Sequence, residues 1–243
     1  MPEAGLPEGT EHRGVQKRDT KRQSWWDIPV TIVIAVGVVL LITTFIAKPF
    51  SIPSGSMEDT LQIGDRILVN RLVYNTRTIE RGDVVVFDGS DSFVPMADVP
   101  ERNPVAGAAA WVGQSLGIMA PDSTDFVKRV IGVGGDQVTC CGADGQLTVN
   151  GVPLDEPYLY PGDEPSTQDF DIIVPDGMLW VMGDHRSNSA DSRAHMGDPG
   201  GGFVPESKVV GRAMLVVWPP SRFGAIDIPA GFASLPPAAA TAS

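Results

Sequence analysis

From Ile28 to Ala47 the chain runs for 20 residues without a charge (IPVTIVIAVGVVLLITTFIA). A helix of that length rises about 30 Å, the thickness of a bilayer's hydrocarbon core. Residues 25–47 are therefore expected to form a transmembrane helix. A cleaved secretory leader is the alternative, but leaders carry apolar stretches of roughly 7–15 residues that end at a small-x-small site. Here the run closes on Lys48-Pro49-Phe50. Beyond it the pattern changes to short Val- and Ile-rich runs between turn residues, the mark of β-strands. Ile63–Val73 holds one strand, Asp83–Phe87 a second and Phe126–Val133 a third. Asn150-Gly151 inside Gln146–Leu154 is a strong hairpin signal. Met178–Met182 and Val209–Trp218 complete the set. The expected fold is mainly β: an antiparallel β-sheet domain with a smaller inserted β subdomain, preceded by one N-terminal transmembrane helix.

Three stretches fall outside this rhythm. Residues 88–125 are rich in Ala, Gly and Pro and read as a surface excursion, with a short helix over Val105–Ile118. Residues 140–176 form a polar excursion with two hairpin-like runs, the expected inserted subdomain. Residues 219–243 lack periodicity and read as a mobile tail. No repeat occurs at solenoid or propeller periods.

Charge gives the apolar run a direction. Arg13, Lys17, Arg18, Lys21 and Arg22 precede it, and only Lys48 and then Arg66 follow. The positive-inside rule puts residues 1–24, a disordered segment, in the cytoplasm and residues 48–243 outside a cell membrane crossed once. Trp25 and Trp26 suit an interfacial aromatic belt. The net charge of −12 lies almost wholly beyond the run. An acidic domain of that kind does not read as nucleic-acid binding. Cys140-Cys141 are adjacent; two thiols, pairing between molecules or a vicinal disulfide are all open, the last disfavoured by its tight ring. His12, His185 and His195 lack metal-ligand spacing and read as surface residues. No metal or cofactor is expected.

The candidate chemistry is nucleophilic. Ser54-Gly55-Ser56 follows the apolar run, and a serine needs a base to take its proton. Lys128 stands in Phe126-Val-Lys-Arg-Val-Ile131, where strand alternation sets Phe126, Lys128 and Val130 on one face and Val127, Arg129 and Ile131 on the other. Burial between apolar neighbours disfavours an ammonium. A free lysine is only about 0.04% neutral at pH 7, and a half-neutral one needs roughly 4.6 kcal/mol of destabilisation. The alternative is a snorkelling lysine with its ammonium in water. Ser-Gly-Ser alone is equally an ordinary flexible turn. Met182–Arg193 (MGDHRSNSADSR) packs Ser, Asp and Arg closely after a Gly–Asp turn; a solvated loop with a salt bridge has the same composition.

Four segments in order, FSIPSGSMEDTL (50–61), RGDVVVF (81–87), DFVKRVIGVGGDQV (125–138) and GDHRSNSADSR (183–193), resemble the bacterial type I signal peptidases. That family consists of membrane-bound Ser/Lys endopeptidases that remove signal peptides from exported precursors. The resemblance implies Ser56 as nucleophile, Lys128 as general base, and Ser54 with the Ser56 amide as oxyanion donors. It implies that Ser189 hydrogen-bonds the lysine and that Asp191 and Arg193 form a supporting ion pair. Phe50, Ile52, Pro53, Met57, Asp125, Phe126 and Val127 fall where the family lines pockets for small residues at −1 and −3, with the substrate added as a strand. The expected partners are signal peptides and the lipid bilayer. This chain departs from the family at Asp59, where Pro is common, at Gly134, where Pro is usual, and at His185 and Ser187, which replace Asn and Asp.

Two other readings compete. A self-cleaving repressor-type Ser/Lys protease shares the fold but carries a DNA-binding domain where this chain has its apolar run. A membrane-anchored β-domain acting as receptor or scaffold needs neither Ser56 nor Lys128.

Overall fold

The computed structural model describes residues 27–90, 92–94, 124–142 and 144–238. The expectations for residues 1–24, for Trp25 and Trp26, for the helix at 105–118 and for most of the 88–125 excursion lie outside these. The chain divides into two units, 1–37 and 38–243. Helix α1, Asp27–Phe45, is 19 residues long and takes in the apolar run as far as Phe45. Among the described residues no helix is long and apolar enough to cross a membrane, so the spanning helix stands on its sequence alone.

The second unit is built on antiparallel sheets. Its strands are β1 (Ala47–Ser51), β2 (Arg66–Asn70), β3 (Val84–Asp88), β4 (Asp125–Val133), β5 (Gln137–Cys140), β6 (Thr148–Val149), β7 (Val152–Pro153), β8 (Phe170–Ile173), β9 (Met178–Met182), β10 (Val204–Pro205), β11 (Val209–Trp218) and β12 (Gly224–Ala225). The main sheet runs β1-β2-β11-β3-β4-β9-β10, with β12 paired to β11. A smaller four-stranded sheet runs β7-β6-β5-β8. Its hairpin turns at Asn150 and Gly151, both with positive φ (53° and 77°), as a two-residue type I′ loop requires. β1 escapes the alternation pattern because it is an edge strand of only five residues that carries Pro49, and edges are where a strand tolerates proline.

Strand β4 is the keystone for the chemistry. It lies between β3 and β9, with Lys128 opposite Val85 and Arg129 opposite both Val84 and Met182. Its side chains alternate as expected: Phe126 and Val130 pack with Val85 and Phe87, whereas Val127 packs with Val84 and Val86 on the other face. Hydrogen bonding on both edges gives the Lys128 backbone little freedom.

Two expectations need correction. Residues 219–238 are not a mobile tail. β12 pairs Ala225 with Leu215, Ile226 and Phe232 are buried in separate core clusters, and Arg222 bonds the Asp65 carboxylate. The segment's irregular sequence hides a few large apolar residues that find the core singly. Cys140 and Cys141 are joined in a vicinal disulfide at the end of β5, and neither is a free thiol.

Candidate active site

Ser56 sits in the turn that links β1 to β2. The turn is closed by Ile52 N–H to the Asp65 carbonyl (2.9 Å) and Gly64 N–H to the Ile52 carbonyl (2.9 Å). Ile52 and Met57 flank the serine and are 4% and 1% exposed, in one core cluster with Phe50 and Leu61. Burying those two side chains contributes about 3–6 kcal/mol, enough to hold a short turn in one place. Ser56 itself is 9% exposed, while Pro53 and Ser54 face solvent.

Lys128 reaches this turn from β4. Its Nζ lies 2.7 Å from Ser56 Oγ and donates to the Val127 carbonyl at 3.1 Å. The lysine is 3% exposed. Burial pushes its pKa down from 10.5 to about 8, and the nearby Asp191 and Asp184 carboxylates hold it from falling further. At pH 7 a pKa near 8 leaves roughly a tenth of the amine neutral, against about 0.04% for a free lysine. A neutral amine keeps one lone pair, and the hydroxyl 2.7 Å away supplies the proton it can accept.

Both carboxylates near the lysine are matched by arginines. Asp184 receives Arg129 through Nε (2.9 Å) and Nη2 (2.7 Å), and the pair is almost fully buried. Asp191 receives Arg193 through Nε (2.9 Å) and Nη2 (2.8 Å) and the Gly183 amide at 2.9 Å. Burial alone raises the Asp191 pKa; the Arg193 bonds and charge, the Gly183 N–H and the nearby Ser189 outweigh it and hold the carboxyl below its usual value. Without these partners two bare carboxylates would stabilise the ammonium and disable it as a base.

The segment 183–193 folds against the serine turn. A Cβ on Gly183 would overlap the Ser189 hydroxyl and the Ser56 carbonyl oxygen, so only glycine fits between them. His185 departs from its surface reading. Its N–H donates to the Ser56 carbonyl (3.2 Å), and its Nδ1 lies 3.2 Å from both the Gly55 carbonyl oxygen and Glu58 Oε2. Its ring stacks on Tyr160 with centroids 3.9 Å apart. His195 is likewise packed, stacked on Phe93 and 2.7 Å from the Asp198 carboxylate.

The residues singled out from the sequence thus divide. Ser56 and Lys128 meet, and Asp191 and Arg193 pair. Phe50, Ile52, Met57 and Val127 share one apolar cluster. Phe126 belongs to the opposite face of β4, so it does not line a common floor with Val127. Asp125 is half-buried at the start of β4, opposite Asp88. Among the described residues Ser189 Oγ is buried beside the Asp191 carboxylate, whose pKa it helps to lower, and no hydrogen bond to Lys128 is seen. Sequence reasoning gave no part to Glu58, Arg129 or Asp184. The pairing of a buried-strand Arg129 with the acid of the Gly183-Asp184 turn was detectable only as two unmatched charges in apolar surroundings.

The site is a buried amine on a serine hydroxyl, framed by two arginine–carboxylate pairs. The family model for signal peptidase, peptidase S26, matches residues 25–218. The chain belongs to this family. It is 43% identical over 234 residues to a signal peptidase I of Mycobacterium tuberculosis, covering 87% of this chain and 78% of that one. It is 42% identical over 233 residues to a Mycobacterium leprae protein described as a probable signal peptidase I, covering 85% and 80%. A signal peptidase I of Bacillus amyloliquefaciens is 32% identical over 219 residues, covering 86% and 94%.

Proposed function

We propose that this chain is a membrane-anchored serine endopeptidase that removes N-terminal signal peptides from exported precursors, cutting after small residues at −1 and −3. Neutral Lys128 takes the Ser56 proton, and Ser56 Oγ attacks the carbonyl after the −1 residue. Ser54 and the Ser56 N–H steady the tetrahedral oxyanion. The lysine ammonium then returns its proton to the leaving amine, and water, deprotonated by the same lysine, releases the product from Ser56. The observation that carries this reading is the 2.7 Å contact between a buried Lys128 Nζ and Ser56 Oγ. It is joined by the depressed lysine pKa and by the likeness to the two mycobacterial signal peptidases.

The apolar cluster of Phe50, Ile52, Met57 and Val127 lies beside the nucleophile and suits small apolar side chains there better than charged ones. The uncharged run from Ile28 to Ala47 supplies the anchor, with residues 48–243 outside the cell membrane. An anchored enzyme and an anchored signal peptide share the same thin layer at the bilayer surface. The test incubates the detergent-solubilised full chain with a precursor bearing alanine at −1 and −3. Wild type is expected to release the mature protein, and Ser56→Ala and Lys128→Ala to lose all detectable cleavage. Equal cleavage by all three proteins sinks the proposal and leaves the scaffold reading.

A further inference from the structure

The peptide group that joins Gly55 to Ser56 is a rigid trans plate, so the Gly55 carbonyl and the Ser56 N–H point in opposite directions. Whatever fixes the carbonyl aims the N–H. Glycine restrains such a plate less than any other residue. A Cβ at Gly55 would meet only the movable ends of the Glu58 and Asn188 side chains, so the residue's own backbone does not fix the plate. The orientation must therefore come from outside.

Two donors meet the Gly55 carbonyl oxygen: the Glu58 N–H at 3.1 Å and His185 Nδ1 at 3.2 Å. Both oxygens that face Nδ1, the Gly55 carbonyl and the Glu58 carboxylate, are acceptors, so Nδ1 carries a hydrogen. His185 is itself held through its backbone and its ring. Its backbone N–H donates to the Ser56 carbonyl at 3.2 Å, its imidazole lies 11° from parallel to the Tyr160 ring, and the Tyr160 backbone N–H donates to the Asp184 carbonyl at 3.1 Å. Asp184 is locked by Arg129. The clamp thus runs from β4 through Arg129, Asp184 and His185 to the plate that carries the Ser56 amide.

We propose that His185 is a positioning residue for the oxyanion site: by donating to the Gly55 carbonyl it aims the Ser56 N–H at the developing oxyanion. Its donation also polarises the plate and strengthens that N–H as a donor. This rests on the reading of Ser56 as nucleophile and its amide as oxyanion donor. The effect belongs to the transition state, because the ground-state carbonyl of the substrate needs the donor less.

The experiment compares wild type with His185→Ala, His185→Leu and His185→Asn in the detergent-solubilised full chain. The substrate is a fluorogenic peptide with alanine at −1 and −3, and each thermal midpoint is recorded. Removing an oxyanion donor outright costs roughly 100- to 1,000-fold in kcat. Losing only its aim is expected to lower kcat roughly tenfold or more, with KM unchanged, in His185→Ala and His185→Leu. Asparagine restores an N–H at the position of Nδ1 and is expected to keep kcat within about threefold of wild type. Should His185→Ala fail to fold, the Leu and Asn variants decide, since both fill the space and one carries the donor. Wild-type kcat in His185→Leu, a loss confined to KM, or a His185→Asn as slow as His185→Leu would overturn the inference. Ser56→Ala and Lys128→Ala run alongside. If those two remain active, the catalytic reading itself has failed; if they are dead and His185→Leu is fast, only the role of His185 has.

Discussion

Replacing Lys128 by methionine removes the amine and keeps an unbranched apolar chain in its place. The lysine titrates near 10.5 when unfolded and near 8 when folded, because burial disfavours the ammonium more than Asp191 and Asp184 favour it. Between those values the unfolded chain binds more protons, so stability rises with pH across that window and the penalty is complete below about pH 8. The penalty is about 3 kcal/mol at pH 7 and about 1 kcal/mol at pH 9.5. Methionine escapes it, at the loss of the contact with Ser56 Oγ, a hydrogen bond of about 1 kcal/mol. Lys128→Met is therefore expected to be inactive yet more stable than wild type at pH 7, by about 2 kcal/mol or roughly 4–8 °C in midpoint. The advantage should all but vanish at pH 9.5. Thermal unfolding read from tryptophan fluorescence measures it, since Trp180 is wholly buried. A variant less stable than wild type at pH 7, or a gap that pH leaves unchanged, would refute the idea that the fold strains against its own base.

Three further outcomes follow from the same geometry. Cleavage measured as kcat/KM should climb about tenfold per pH unit below about 8 and level off above it as the lysine loses its proton; a flat profile from pH 6 to 9 contradicts a lysine base. Gly183→Ala should cut activity at least tenfold and destabilise by about 1–3 kcal/mol, because its methyl group forces apart the Ser189 hydroxyl and the Ser56 carbonyl; wild-type turnover would mean the segment gives way easily. Phe232→Ala should lower stability by about 3 kcal/mol, as expected of an aromatic ring in the core and not of one in a loose tail, and chemical denaturation reads the difference.

The strands rich in Val and Ile were legible because two-residue alternation and turn chemistry are local signals, as at β9 and β11, whose limits the pattern gave to the residue. β1, β5 and β8 carried weaker alternation, and their pairing is decided by partners far along the chain. The membership of the family was legible in four short segments. What stayed hidden was relational. Nothing local to Glu58 or His185 says that they share a hydrogen, and nothing in an irregular segment says that Phe232 is core. The resemblance also suggested a Ser189 bond to the lysine, which is not seen among the described residues, and it grouped Phe126 with Val127, which strand alternation puts on opposite faces.

Ser56 and Lys128 stand 72 positions apart in the chain and touch only because β4 has been zipped between β3 and β9. Before that assembly the polypeptide holds an idle alcohol and a fully charged amine, neither able to harm a neighbour. A newly made copy therefore has no such contact until β4 has found its place in the sheet.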